Sequence, residues 1–248
     1  MTELWENSRQ SGGGDLAMAL LAPLLLMQAR QAVRRAPRLP AASGPVQGTA
    51  GHSEPLRRLL VIGESTAAGV GARTHARALP GFLAAELSDR LGGTMNWLAR
   101  GKGGATARAV RAELIPAGQG AFDVTVLTVG INDLFDRRAM RPWAADLRSL
   151  IEALGESDRS RIIVSGLPPV HLAPGIPQPL RFVLGRRARA MDRITRQVAV
   201  SCRAAYVTIS VPSAGSGRLF ASDGFHPSEA GYREWARVLA EAVPGPGT

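Results

Sequence analysis

The chain has 248 residues, 45% hydrophobic, 20% charged and 5% aromatic. This balance excludes wholesale disorder and suits one α/β unit with an extra arm. The single cysteine, Cys202, excludes an internal disulfide and a cysteine-cluster zinc site, and no apolar run reaches the roughly 18 residues of a membrane-spanning helix.

Lys+Arg 30 against Asp+Glu 20 leaves a net charge of +10. Such a charge points first to nucleic acid or an anionic membrane. Lys102 is the only lysine, however, and the arginines are spread over most of the chain. Aromatic residues on which bases would stack are few. The excess therefore reads as an arginine-rich composition, and no nucleic-acid partner is expected.

Residues 1–51 read as an amino-terminal arm. The first fifteen are polar. Leu16–Met27 is apolar, interrupted by Pro23. As a helix it would span about 18 Å, short of the roughly 30 Å hydrocarbon core. Arg30, Arg34, Arg35 and Arg38 follow it, whereas Glu3, Glu6 and Asp15 precede it against Arg9 alone. A secretory signal has the opposite order, so secretion is not expected and a cytoplasmic location is. Two readings of the segment stand side by side. Residues 16–38 lie peripherally on an anionic membrane, or the apolar run packs on the protein's own core. Arg38–Gly51, with Pro40 and Pro45, reads as a linker.

Residues 52–248 read as the main domain. Strands are predicted at Leu59–Gly63, Met95–Ala99, Asp123–Gly130, Arg161–Ser165 and Tyr206–Ile209. Helices are predicted at Ala76–Leu91, Ala105–Leu114, Pro142–Leu154, Leu180–Arg203 and Ser228–Ala242, the third opening on a proline. Strands that alternate with helices imply a mainly parallel five-stranded sheet in a three-layer α/β/α sandwich. Ligands in such folds sit at the carboxyl ends of the strands.

The first strand ends in Gly63-Glu64-Ser65-Thr66-Ala67-Ala68-Gly69-Val70-Gly71. No lysine follows as a phosphate loop needs, Thr74 stands where a dinucleotide fingerprint needs glycine, and Ala67 breaks the Gly-x-Ser-x-Gly elbow. A serine on a tight turn remains, either an N-cap or an exposed hydroxyl beside a backbone oxyanion donor. The third strand ends in Gly130-Ile131-Asn132-Asp133. Asn132 can offer an uncharged amide donor to a developing oxyanion, or simply form a turn. Asp223-Gly224-Phe225-His226-Pro227 puts an aspartate three residues before a histidine. Asp223 can fix the tautomer of His226 and leave it free to take a serine proton.

The three blocks, in this order and with His226-Pro227-Ser228 continuing to Gly231-Tyr232, make the chain similar to the SGNH hydrolases, the GDSL esterase/lipase family, over roughly residues 56–242. The resemblance implies a flavodoxin-like fold and hydrolysis of esters or thioesters without a cofactor or metal. By position, Ser65 resembles the family nucleophile, His226 its general base and Asp223 the acid that orients it. The oxyanion hole implied is the Ser65 N–H, the Asn132 amide and a glycine N–H, Gly104, or Gly101 if the register slips. One departure is visible: the family usually has Gly-Asp-Ser, and this chain has Gly-Glu-Ser, with Glu64 resembling a residue that ties the turn to neighbouring backbone. The substrate implied is a small or lipid-like acyl ester. Leu167, Pro168 and Val170 are candidates for an apolar acyl wall, whereas His171 reads as an exposed loop residue. An acyltransferase or carbohydrate deacetylase using the same serine, and a non-catalytic membrane-associated binding protein, are the alternatives.

Overall fold

The computed structural model describes residues 12–35, 37–116, 121–155, 160–210 and 216–245. The polar start of the chain, expected to lack periodic structure, lies mostly outside the described residues. Helix α1 (Gly12–Arg35) comes first, followed by strands β1 (Gln47–Ala50) and β2 (Leu56–Gly63). Then come α2 (Leu79–Leu91), β3 (Thr94–Gly101), α3 (Ala107–Glu113), β4 (Val124–Thr128), the short α4 (Ile131–Phe135), α5 (Met140–Leu154), β5 (Arg161–Ser165), α6 (Leu180–Ser201), β6 (Ala205–Val207) and α7 (Glu229–Ala240).

The sheet has six strands in the order β1-β3-β2-β4-β5-β6. The five that sequence patterning predicts are all parallel. Counted alone they run 2-1-3-4-5, the flavodoxin-like order. The sixth, β1, corrects the five-stranded expectation: it pairs antiparallel with β3 from inside the predicted linker. Its sequence, Gln-Gly-Thr-Ala, has no apolar run to announce a strand. Its fit is decided by its partner, because a side chain at Gly48 would lie 2.6 Å from the Trp97 ring.

Alternate residues of β2 point to opposite faces of the sheet. Leu60 and Ile62 join a core with Val110, Trp143, Leu147 and Met191 beneath α3, α5 and α6. Leu59 and Val61 join the other core with Leu83, Leu87, Trp235 and Leu239 beneath α2 and α7. The helices are amphipathic to match. In α5, Trp143, Leu147, Leu150 and Ile151 recur at helical spacing and are fully buried or nearly so.

Helix α1 docks on the α3/α5/α6 side. Leu25 is buried there, and Leu21 and Ala29 pack around it. The Gln28 amide donates to the Gln178 carbonyl at 2.6 Å, and its carbonyl accepts from the Leu180 N–H at 3.1 Å. No helix of the described residues is long and apolar enough to cross a membrane.

Candidate active site

The nucleophile candidate sits where three strand ends meet. Ser65 follows β2 directly. A side chain at Gly63 would lie 2.0 Å from the Thr128 carbonyl, so only glycine lets β2 run this close to the end of β4. The Glu64 N–H donates to that carbonyl at 3.0 Å, and the Thr66 hydroxyl donates to the Thr128 hydroxyl at 3.0 Å. The β3 end closes from the other side. Gly101 packs on the Ala67–Ala68 backbone, and the Lys102 N–H donates to the Gly63 carbonyl at 3.2 Å. Gly101 is thus a packing position, whereas Gly104 is exposed with open space around it and a φ of +79°. Among the described residues, the N–H groups of Ser65 and Gly104 have no hydrogen-bond acceptor.

The loop before α7 supplies a paired acid and histidine. Gly224, at φ +65°, turns the chain so that Asp223 faces back onto it. Asp223 Oδ1 accepts from the Phe225 and His226 N–H groups at 2.9 and 3.0 Å, and Oδ2 accepts from His226 Nδ1 at 2.5 Å. Burial works to raise the Asp223 carboxyl, but the His226 and Phe225 hydrogen bonds outweigh it, and the carboxyl lies below its ordinary value. It is therefore a carboxylate near neutral pH. A carboxylate at this position favours the tautomer of His226 with its proton on Nδ1, which leaves the Nε2 lone pair free. The Phe225 ring meets His226 edge-on at 5.2 Å and Phe135 at 5.5 Å, which fences the imidazole.

Ser65 and His226 line one cleft. No hydrogen bond joins their side chains, a common state of a site without substrate. The cleft is open to solvent and mostly apolar, walled by Pro168, Val170, Ala173, Phe220, Ile209 and Trp235. Pro168 and Val170 are thus where patterning suggests. Leu167 is instead buried in the core, with its N–H donated to Asp192 Oδ1 at 2.8 Å. His171 is exposed and outside the cleft, as expected. Phe220, Ile209 and Trp235 carried no signal in the sequence, because each reaches the cleft from a different element.

Asn132 is brought to the Ser65 turn, with its amide committed elsewhere. Nδ2 donates to Glu64 Oε2 at 2.5 Å and to the Ala105 carbonyl at 3.0 Å. Glu64 is 3% exposed and also accepts from the Ile131 and Asn132 backbone N–H groups at 3.1 and 3.0 Å. Burial, the largest influence, pushes its carboxyl up to about 8 despite those donors. Asp133, also buried, accepts from the Ala107 N–H at 2.9 Å and so ties the Asn132 loop to the start of α3. Among the described residues, no group of three His, Cys, Asp or Glu side chains is placed to hold a metal ion.

Comparison with known proteins gives the same direction. The model of the GDSL-like Lipase/Acylhydrolase family matches residues 61–234. The GDSL-like esterase Rv1075c of Mycobacterium tuberculosis is 27% identical over 195 residues. The match covers 75% of this chain and 61% of that protein, so the chain spans less than two thirds of its relative. Among solved structures, the lipase Lip_vut3 from a goat rumen metagenome superposes with a TM-score of 0.63 at 16% identity, covering 77% of this chain and 99% of that one. An acetyl xylan esterase from Geobacillus stearothermophilus gives 0.55 at 21% identity, covering 75% and 94%. At these identities the structural likenesses concern the fold.

Proposed function

Because the chain belongs to the GDSL-like lipase/acylhydrolase family, we propose that it is a serine hydrolase that cleaves carboxylic esters or thioesters through an acyl-enzyme on Ser65. The observation that carries this reading is the Asp223–His226 hydrogen bond at the wall of the cleft that Ser65 also lines.

His226 Nε2 takes the Ser65 proton as Oγ attacks the acyl carbonyl. Asp223 holds the imidazole in the required tautomer and stabilises the imidazolium that forms. The oxyanion meets the unengaged N–H groups of Ser65 and Gly104. Asn132 adds a third donor when Nδ2 exchanges one of its present acceptors for the oxyanion. The imidazolium then protonates the leaving alcohol or thiol, and water repeats the sequence to release the acid. The apolar cleft takes the acyl group.

Ser65→Ala tests the assignment. The variant is expected to fold as the parent does and to lose turnover of a short p-nitrophenyl ester, together with labelling by a fluorophosphonate. Retained hydrolysis in the variant removes Ser65 from the mechanism. A parent protein that neither labels nor hydrolyses any ester supports the non-catalytic alternative. Transfer of the acyl group to an added alcohol or sugar, in preference to water, would identify a transferase.

A further inference from the structure

Helix α1 has two sides with different fates. Leu21, Leu25 and Ala29 face the body of the protein. On the other side Leu24, Leu26 and Met27 are left in solvent, the last two 52% and 58% exposed. Met27, Arg30 and Arg34 follow one another at helical spacing along that outer side. Arg30, Arg34, Arg35 and Arg38 are all exposed, and none forms an ion pair among the described residues. The helix that α1 touches, α6, also exposes Arg186, Arg189, Arg193 and Arg196 without ion-pair partners, and Phe182 beside them is 55% exposed. Both helices thus expose arginines without ion-pair partners, and they touch at Gln28 and Leu180.

The contact also reaches the site. Gln28 grips the backbone of Gln178 and Leu180 at the start of α6. The same loop is tied to the catalytic turn by the Gly175 N–H, which donates to the Gly224 carbonyl at 2.9 Å, one residue from Asp223 and two from His226. Helix α1, with its exposed apolar side chains and arginines, is thus linked by hydrogen bonds to the turn that carries Asp223 and His226.

We propose that α1 is an interfacial anchor for an anionic lipid surface: Leu24, Leu26 and Met27 enter the acyl boundary, and Arg30, Arg34, Arg35 and Arg38 contact lipid phosphates. The charge complementarity selects this occupant. A second copy of the chain would have to bring the same unpaired arginines against each other, and like charges facing one another oppose such a dimer. Apolar side chains next to a basic cluster instead match the boundary between acyl chains and anionic headgroups. The anchor holds the cleft at the surface from which a lipid-like ester would be drawn. The binding itself does not depend on the hydrolase reading.

Co-sedimentation of the full chain with vesicles tests the proposal, read as bound protein and not as activity. Binding is expected to vesicles that contain phosphatidylglycerol, to be weak on phosphatidylcholine alone, and to fall with added salt. Replacing Arg30, Arg34, Arg35 and Arg38 together by Gln is expected to weaken binding by roughly a hundredfold. Replacing Leu24, Leu26 and Met27 together by Ser is expected to weaken it by at least about tenfold. Both variants should keep the parental circular dichroism spectrum and a cooperative thermal melt, which shows that they are folded whether or not the protein hydrolyses esters. Equal binding to the two vesicle types, or parental binding by both variants, overturns the proposal. So does a dimer in light scattering that the Leu24, Leu26 and Met27 substitutions dissolve, because a second copy would then cover this side.

Discussion

At the scale of single residues, the use of glutamate before the serine has a visible consequence. The buried Glu64 carboxyl group accepts from two backbone N–H groups and from the Asn132 amide together. Glu64 thus positions Asn132 and, in the absence of substrate, occupies the amide that the proposed oxyanion hole would use. If Asn132 serves in that hole, Asn132→Ala lowers kcat by roughly a hundredfold with a milder effect on KM. An equal loss in both would instead mark a purely structural residue. Glu64 also gives stability a pH dependence. Its carboxyl titrates at 4.5 ordinarily and at about 8 in the folded protein. Between those values the folded state binds the extra proton, so stability is full below the lower value and falls as pH rises through the upper one. Thermal melts across this window should show Tm declining for the parent, and Glu64→Gln should show a smaller slope. The three blocks around Ser65, Asn132 and His226 were legible in the sequence because each is a short local pattern. The commitment of the Asn132 amide was not, because its partners Glu64 and Ala105 lie 68 and 27 residues away.

At the scale of elements, most strands and helices follow from local pattern, and their ends follow from caps. Ser228 caps α7 by accepting from the Gly231 N–H, and Thr106 caps α3 by accepting from the Ala109 N–H. Helix α7 starts three residues after His226, so whatever holds α7 also holds the proposed base. Two buried bonds do this. The Tyr232 hydroxyl donates to the Val70 carbonyl at 2.7 Å, and Trp235 Nε1 donates to the Ser165 hydroxyl at 3.0 Å. Tyr232→Phe leaves the Val70 carbonyl unpaired in the interior. It should cost about 1–2 kcal/mol, seen as a Tm lowered by a few degrees. Periodicity cannot show such ties, since the partner is a backbone atom in another loop. The same limit explains β1 and α4. Each is only four or five residues long, and each is fixed by its neighbours, β1 by the edge of β3 and α4 by the loop that Glu64 holds.

At the scale of the whole molecule, the arm and the domain are physically joined. Leu25, on the arm, is buried in the same core as Leu147 and Met191. Leu25→Ala is expected to lower the stability of the whole chain by about 2–3 kcal/mol in denaturant unfolding. If the arm were an independent appendage, the midpoint would not move. The charge of +10 takes on a shape at this scale as well. Part of it is exposed on α1 and α6 without ion-pair partners, and Glu229 neutralises another part by pairing with Arg73 and Arg77 at 3.1 and 2.7 Å.

The sequence by itself determined the α/β class, the five parallel strands and the three blocks to which the proposed hydrolase chemistry is assigned. These depend on period, length and short motifs, which are local properties of a chain. The tertiary structure alone decided the sixth strand, the walls of the cleft, the hold of Glu64 on Asn132 and the docking of α1. Each of these depends on which surfaces are left facing one another once the sheet has formed, and that is set by contacts between residues distant in sequence.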